Sequence, residues 1–227
     1  MSKAPQSVDL PLPTGPVKSV AGRWLRPDAA RWLYVMAHGA GAPMTHPFME
    51  AAAQALAERG IATLRFNFPY ADAGRKRPDR EATLKAVIGA AVEYAARAES
   101  ELPLIAGGKS LGGRMTAHWV AQQQPERVRG LIFLGFPLHR PGAPSRARAE
   151  LLSDVRPPML FLQGDRDKLA SPELIRQVCD DLGERATLRF IRDGDHSFAV
   201  RKRSGRTAEE VLDELADATL AWLRERV

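Results

Sequence analysis

The sequence predicts an α/β fold built on a doubly wound, mostly parallel sheet, and three observations support this prediction. Short apolar runs rich in β-branched or aromatic residues alternate with amphipathic segments over most of the chain, as expected for βαβ units on a buried sheet. The first residues differ, because two short segments flank a Thr14-Gly15-Pro16 turn and predict an antiparallel hairpin at the sheet edge. The insertion at residues 137–155 is too short for an independent lid domain, so we expect a minimal cap.

The predicted elements follow one another in the order that this fold requires. The hairpin strands are expected at residues 8–12 and 17–24. The strands of the parallel sheet are expected at residues 32–37, 62–66, 102–106, 128–135, 159–163 and 187–192. The helices are expected at about residues 47–59, 80–98, 111–123, 172–182 and 207–226, with a helix-like segment at 145–152 inside the insertion. Together these elements are expected to form one domain spanning residues 1–227.

Composition limits where the protein acts. The chain has 227 residues, of which 44% are hydrophobic and 26% charged, as is usual for a soluble globular protein. The N-terminal segment lacks the apolar core of a secretory signal, and no run approaches the roughly 18 apolar residues of a membrane span. The single cysteine, Cys179, excludes an internal disulfide. We therefore expect a cytoplasmic protein that does not associate with membranes.

The charge pattern gives no indication of a macromolecular or metal partner. The net charge is +6, and basic residues cluster at Arg75-Lys76-Arg77 and Arg201-Lys202-Arg203. These clusters lie in predicted loops without interleaved aromatic residues, and no nucleic-acid-binding motif accompanies them. Histidine and cysteine spacings typical of metal sites are absent from the sequence. We therefore expect that the protein binds no nucleic acid, no metal and no cofactor.

The most informative motif is the pentapeptide Gly108-Lys109-Ser110-Leu111-Gly112. It stands between a predicted strand and a predicted helix, which is the setting of a G-x-S-x-G nucleophile elbow. The sharp turn forces the serine into a strained conformation, and only residues without a Cβ fit beside it. Ser110 is therefore the candidate nucleophile.

A serine is a weak nucleophile at neutral pH and needs a base within hydrogen-bonding distance, which an acid in turn orients. The loops after the last two predicted strands supply both, as Gly164-Asp165-Arg166-Asp167 and Gly194-Asp195-His196. His196 is the candidate base. Asp165 and Asp167 are both candidates for the acid, and the spacing favours Asp167, with Asp165 as a turn residue.

The oxyanion that develops on a substrate carbonyl needs two preorganised donors. The N–H of Leu111 is one candidate, because it stands at the start of a helix and lacks an intrahelical partner. The second is expected from the loop His38-Gly39-Ala40-Gly41 after an early strand. We favour the N–H of Ala40, with Gly41 as the alternative.

Other residues near this sheet edge have weaker signals. Lys109 and Ser110 are adjacent, so their side chains leave a strand on opposite sides, and we expect neither a Ser-Lys dyad nor a role for Lys109. His38 is expected to hold the glycine loop. His46 and His139 lie in loops and either line a pocket or have no role. The candidate pocket residues are His38, Gly39, Gly41, Asn67, Tyr70 and His139.

These motifs carry a family resemblance. The segments around His38-Gly39-Ala40-Gly41, Arg65-Phe66-Asn67-Phe68-Pro69, the Ser110 elbow, Asp165-Arg166-Asp167 and His196-Ser197-Phe198 resemble those of the α/β-hydrolase superfamily. The chain is most similar to a small, nearly lidless group of bacterial hydrolases. That group resembles dienelactone hydrolases and the hydrolase-like subunit of the non-specific-lethal acetyltransferase complex. Dienelactone hydrolases carry cysteine at the position of Ser110, which counts against a dienelactone substrate.

The resemblance implies a serine hydrolase that cleaves a carboxylic ester or thioester through an acyl-enzyme on Ser110, with His196 and Asp167 completing the triad. The short insertion indicates an open pocket for small or medium acyl groups. Arg140, Arg146 and Arg148 in that insertion suggest an anionic substrate as a further hypothesis. The alternative function is a non-catalytic interaction protein, because the same fold also serves as a binding module.

Overall fold

One sheet organises the part of the chain that the computed structural model describes, residues 4–13 and 17–227. Within these residues the sheet has eight strands in the order β1-β2-β4-β3-β5-β6-β7-β8. The strands are β1 (Gln6–Pro11), β2 (Ser19–Leu25), β3 (Trp32–Ala37), β4 (Ile61–Phe66), β5 (Leu104–Lys109), β6 (Val128–Leu134), β7 (Met159–Gly164) and β8 (Ala186–Ile191). From β4 to β8 all neighbours pair in parallel. The predicted doubly wound, mostly parallel sheet is confirmed.

The N-terminal strands form the predicted antiparallel pair at the sheet edge. Strand β1 pairs with β2, with Leu10 opposite Val20, and β2 continues antiparallel onto β4. In β1 the buried Leu10 stands between exposed neighbours, as expected for an edge strand with one solvent face. The predicted Thr14-Gly15-Pro16 turn lies outside the described residues.

Helices cover both faces of the sheet. They are α1 (Pro47–Glu58), α2 (Pro69–Asp72), α3 (Glu81–Ala98), α4 (Leu111–Gln123), α5 (Pro172–Leu182) and α6 (Ala208–Arg226). Helices α3, α4 and α5 pack on one face through a cluster that includes Leu84, Met115 and Ile175. Helices α1 and α6 pack on the other through Leu56 and Leu215. Strands β3, β4, β5 and β7 are buried throughout because both faces are covered.

Strand β5 ends later than the apolar run predicts. Residues 102–106 were expected, whereas the strand is Leu104–Lys109 and includes both glycines before the elbow. Gly107 and Gly108 have φ of 145° and 140°, and a Cβ on either would lie 2.0 Å from a carbonyl oxygen of a neighbouring strand. Their backbones continue the ladder opposite Ile132 and Phe133. Glycine therefore extends this strand, and Lys109 becomes its last residue.

The insertion after β6 forms no separate lid. Its helix-like segment, expected at 145–152, is a 3-10 helix, Ala147–Asp154. Among the helices that the structure describes, none has both the length and the apolar character needed to cross a membrane.

The strand order reverses at β3. The chain passes from β3 to β4 on one side and later to β5 on the other, so the loops after β3 and β5 separate above the carboxyl ends of the strands. Open α/β sheets bind ligands in this crevice. Residues 38–46 and the Ser110 elbow face each other across it.

Candidate active site

Ser110 lies on a sharp turn between β5 and α4. Its backbone has φ 49° and ψ −113°, a conformation that a residue with a Cβ rarely adopts. The turn leaves no space at Gly112, where a Cβ would lie 2.5 Å from the carbonyl oxygen of Ala37 and 2.6 Å from that of His38. The glycine at this position is therefore required for the turn, which projects Ser110 from the carboxyl edge of the sheet.

A chain of hydrogen bonds joins Ser110, His196 and Asp167. Ser110 Oγ lies 2.8 Å from His196 Nε2, and His196 Nδ1 lies 2.7 Å from Asp167 Oδ2. A carboxylate only accepts hydrogen bonds, so Nδ1 carries the proton and donates a hydrogen bond to Asp167. In the neutral imidazole this leaves Nε2 free to accept from the Ser110 hydroxyl. The arrangement presents a base to a serine hydroxyl.

Asp167 is held in place from its other side. Its side chain is fully buried. Oδ2 also accepts from Gln163 Nε2 at 2.5 Å, and Oδ1 accepts from the N–H of Leu169 at 2.7 Å. The Gln163 side chain is oriented in turn by the N–H of Phe136, which donates to its Oε1 at 2.9 Å. Sequence analysis missed Gln163, although a glutamine in an otherwise apolar buried strand was the available signal.

The two candidate aspartates have different surroundings. Asp167 contacts the imidazole, whereas Asp165 makes no hydrogen bond to His196 in the described chain. The Oδ1 atom of Asp165 is buried and has no hydrogen-bond partner among the described residues. The backbone N–H of Asp165 donates to the carbonyl of Ile191 at 3.3 Å. Of the two, only Asp167 is placed to orient His196.

The loop that carries His196 is a series of tight turns. Asp193 and Phe198 both have positive φ, at 58° and 62°. Asp195 Oδ1 accepts from the N–H groups of Ser197 and Ala199 at 2.8 and 3.0 Å. An aspartate that folds its carboxylate back on the following N–H groups is typical of such turns. The Asp195 side chain therefore stabilises the turn that follows His196.

Two backbone N–H groups are unpaired near Ser110. In the part of the chain that the structure describes, no acceptor pairs with the N–H of Ala40 or of Leu111. The loop of Ala40 approaches the serine closely, since a Cβ on Gly39 would lie 3.6 Å from Ser110 Cβ. Leu111 is the first residue of α4, where the N–H has no intrahelical acceptor. These two groups are available as oxyanion donors.

His38 and Tyr70 hold this loop from inside the protein. His38 Nδ1 donates to the carbonyl of Gly39 at 2.7 Å, while Nε2 accepts from the N–H of Phe68 at 3.1 Å. Burial lowers the pKa of His38, which favours the neutral ring that this pair of bonds requires. The Tyr70 hydroxyl donates to the same Gly39 carbonyl at 3.4 Å. Burial raises the pKa of Tyr70, and a hydrogen bond from the Gly41 backbone opposes that rise.

Arg65 and Asn67 bind the backbone of Met44, near the end of the loop that follows β3. Arg65 Nη1 donates to the carbonyl of Met44 at 2.7 Å, and Asn67 Oδ1 accepts from the N–H of Met44 at 2.8 Å. Both side chains come from the end of β4, so one strand fixes both backbone groups of one loop residue. The Arg65 side chain is almost fully buried, with Glu50 3.9 Å away as its nearest carboxylate, and burial lowers the pKa of Arg65. A buried guanidinium is costly, and here it fixes the loop that carries Ala40.

A cavity of about 170 Å³ adjoins Ser110. The loop after β3 and the first turn of α1 form most of its wall, together with the elbow and the His196 loop. Its lining consists of Gly39, Ala40, Ala42, His46, Phe48, Met49, Lys109, Ser110, His196 and Ser197. Larger grooves of about 300, 390, 530 and 600 Å³ lie elsewhere on the described surface, and none of these four is lined by a histidine. The small cavity is therefore the one placed for chemistry.

Most of the predicted pocket residues do not line this cavity. Gly39 does, and so does His46, whereas Gly41 does not. His38, Asn67 and Tyr70 do not line it and instead support the loop, because each of them makes a hydrogen bond to the loop backbone.

His139 also lies away from the cavity. It is buried under the insertion, where Nδ1 donates to the carbonyl of Arg140 and Nε2 accepts from the N–H of Ser171. Two insertion arginines are engaged as well, since Arg146 pairs with Asp181 and Arg148 donates to the carbonyl of His139. Arg146 therefore has a carboxylate partner, whereas Arg148 keeps its charge beside a neutral carbonyl.

Lys109 contacts the His196 loop. Its Nζ donates to the carbonyl oxygen of His196 at 2.6 Å and lies 5.4 Å from the centre of the Phe198 ring. Burial lowers the pKa of Lys109 to about 8, against the opposing effect of the Asp167 and Asp195 carboxylates. No hydrogen bond joins Lys109 to Ser110 in the described chain. The expectation that Lys109 has no role, however, did not foresee its contact with the His196 carbonyl.

Comparison with known proteins places this geometry in a family. A serine hydrolase without a lid from Xanthomonas campestris superposes with a TM-score of 0.73 at 23% identity, covering 97% of this chain and 94% of that one. A dienelactone hydrolase from Anabaena variabilis gives a TM-score of 0.76 at 20% identity, covering 98% and 99%. The esterase domain of a Rhodothermus marinus protein gives 0.73 at 17% identity, covering 98% and 99%. These likenesses establish the fold.

The family model described as an alpha/beta hydrolase domain matches residues 30–224, which is most of the 227-residue chain. The matched stretch contains β3 to β8 and each of Ser110, Asp167 and His196. The chain belongs to the α/β-hydrolase domain family.

Proposed function

We propose that the protein is a serine hydrolase that cleaves a carboxylic ester or thioester through an acyl-enzyme on Ser110. The observation that carries the proposal is the hydrogen-bonded series Ser110 Oγ, His196 Nε2, His196 Nδ1 and Asp167 Oδ2, with distances of 2.8 and 2.7 Å. A strained serine facing a base that a buried carboxylate orients is the arrangement that acyl transfer needs. Membership of the α/β-hydrolase family supports the same reaction class.

In the proposed first step, Ser110 Oγ attacks the substrate carbonyl carbon while its proton passes to His196 Nε2. Asp167 stabilises the imidazolium and keeps Nδ1 protonated. The carbonyl oxygen becomes an oxyanion, which accepts hydrogen bonds from the N–H groups of Ala40 and Leu111. When the tetrahedral intermediate collapses, His196 returns the proton to the leaving alcohol or thiol. The acyl group remains on Ser110.

In the second step, water takes the place of the departed group. His196 accepts a proton from that water, whose oxygen attacks the acyl carbon, and the same two N–H groups stabilise the second oxyanion. Collapse returns the proton to Ser110 Oγ and releases the carboxylic acid. The side chain of His196 is 24% exposed, so water reaches it without any movement of a lid.

The size of the cavity points to short acyl groups. A protein cavity of about 150 Å³ holds a benzene molecule, so the 170 Å³ beside Ser110 suits an acyl chain of about six carbons or fewer. Phe48 and Met49 make part of its wall apolar, which favours an unbranched aliphatic or small aromatic acyl group.

Hydrolysis of p-nitrophenyl esters of increasing acyl length tests the proposal. Wild type is expected to turn over short esters, and Ser110→Ala and His196→Ala are each expected to lose at least about 10⁴-fold in kcat because the two side chains act as a unit. Ser100→Ala, an exposed serine before β5, is the matched control and is expected to retain full activity. Turnover by folded wild type no faster than by Ser110→Ala, at every acyl length, would support a non-catalytic interaction protein instead.

A further inference from the structure

Lys109 is an ammonium group in a place that an apolar side chain would fill at lower cost. It ends strand β5, and it is only 8% exposed. Lys109 lines the cavity beside Ser110 but makes no hydrogen bond to that serine in the described chain, and its ammonium reaches the loop that carries the base. A buried charge is costly unless it is paired or hydrogen-bonded, which indicates that this one supplies a specific contact.

The contact is with the backbone of His196. Lys109 Nζ donates to the His196 carbonyl at 2.6 Å, joining residues that are 87 positions apart in the chain. Hydrogen bonds from charged donors are roughly twice as strong as neutral ones. Ser110 directly follows Lys109 in the chain. The lysine side chain therefore connects the backbone next to Ser110 with the backbone of His196.

The neighbouring structure leaves room for this lysine. At Gly135, after β6, a Cβ would lie 3.0 Å from Lys109 Nζ, 3.3 Å from the His196 carbonyl oxygen and 3.5 Å from His196 Nδ1. Gly135 has φ of 72°, so its conformation also favours glycine. The charged groups that face the ammonium are the carboxylates of Asp167, from the loop after β7, and Asp195, from the loop after β8.

We propose that Lys109 is a positioning residue, which fixes the backbone of His196 so that the imidazole stays within hydrogen-bonding distance of both Ser110 and Asp167. This inference rests on the proposed function for its consequence in catalysis, and on the contacts above for the placement itself. The loop around His196 contains two non-glycine residues with positive φ, Asp193 and Phe198. Such a loop gains from an external contact at its functional residue.

Lys109→Met tests the catalytic consequence, because methionine fills similar space without the donor or the charge. We expect kcat to fall by about 10- to 100-fold, as for a displaced catalytic group, with KM changed by less than about threefold. Lys18→Met, at an exposed lysine next to β2, is the control and is expected to change neither constant. A Lys109→Met kcat within about twofold of wild type would overturn the proposal.

A second measurement reads the placement without any turnover. In a ¹H NMR spectrum the proton shared by His196 Nδ1 and Asp167 is expected as a downfield resonance, which His196→Ala removes. Lys109→Met is expected to shift or broaden this resonance, and Lys109→Arg, which restores a cationic donor, is expected to reverse part of that change. An unchanged resonance in Lys109→Met would contradict the placement even if wild type proves inactive, so the two proposals fail separately.

Discussion

Ser110, His196 and Asp167 obtain their chemistry from their positions. Each hydrogen bond in the series fixes the next group: the N–H of Phe136 orients Gln163, and Gln163 and His196 share Asp167 Oδ2. A buried carboxylate that accepts three hydrogen bonds is held against rotation away from the imidazole. At the residue scale, the site is therefore a preorganised network, and single substitutions within it have large and distinguishable effects.

The choice of acid can be tested by comparing two isosteric changes. Asp167→Asn is expected to lower kcat by about 10⁴-fold, because an amide at this place no longer stabilises the required imidazole tautomer. Asp165→Asn is expected to lower kcat by less than about tenfold, since Asp165 makes no hydrogen bond to His196 in the described chain. Steady-state kinetics on a short p-nitrophenyl ester check both. A larger loss for Asp165→Asn would reverse the assignment.

The buried Lys109 gives stability a characteristic pH dependence. Its pKa of about 8 in the folded protein lies below the ordinary value of 10.5. Below pH 8 both folded and unfolded chains hold the proton, and folding carries the full desolvation cost. Between pH 8 and 10.5 only the unfolded chain holds it, so this group makes the free energy of unfolding rise with pH.

Urea denaturation of wild type and Lys109→Met at pH 7 and pH 10.5 measures this contribution. The difference in free energy of unfolding between the two proteins is expected to move in favour of wild type by on the order of 3 kcal/mol over this range, at 1.36 kcal/mol per pKa unit. All other titrating groups are common to both proteins and cancel. A difference that does not change with pH would show that burial does not perturb this lysine.

At the scale of the elements, the loops after four strands converge on one place. The loop after β3 carries Ala40, β5 leads into Ser110, and the loops after β7 and β8 carry Asp167 and His196. The end of β4 supports the first of these loops through Arg65 and Asn67, and α2 supports it through Tyr70. Strand and helix ends thus set the distances in the site.

The first turn of α1 contributes Phe48 and Met49 to the wall of the cavity, and this predicts the acyl specificity. Met49→Ala removes a buried side chain that lines the cavity, so the preferred acyl length is expected to move from about six carbons or fewer to about eight. A p-nitrophenyl ester series from acetate to laurate checks this. Leu56→Ala, a buried residue of the same helix outside the cavity lining, is expected to lower stability without altering the profile. The same chain-length preference in Met49→Ala would show that the acyl group lies elsewhere.

Sequence patterns predicted the helices and strands well, but they predicted poorly the contacts between residues that are distant in the sequence. Periodicity located β3 and α4 at their observed bounds, and the glycine spacing identified the elbow. Periodicity ended β5 too early, because an apolar pattern treats Gly107-Gly108 as a break. Both glycines have positive φ and stay paired with β6. Tyr70 and Asn67 were assigned to the pocket, yet their partners are backbone groups of the loop that they support. No local pattern encodes the contact of Lys109 with His196.

At the scale of the whole molecule, the doubly wound order gives the site its location and its openness. The strand order reverses at β3. This separates the loop after β3 from the loop after β5 and forms the crevice beside Ser110. The insertion after β6 packs beside α4 and α5, and its arginines bond within the protein. The cavity beside Ser110 is therefore uncovered, and under the proposed function its size sets the acyl selectivity.

Intact-mass spectrometry after reaction with a fluorophosphonate probe tests the central claim most directly. We expect a single adduct, mapped by peptide digestion to the peptide that contains Ser110, formed by wild type and absent from Ser110→Ala. His196→Ala is expected to react far more slowly, because the hydroxyl then lacks its base. An adduct on a different residue, or none on a correctly folded wild-type protein, would contradict the assignment of Ser110 as the nucleophile.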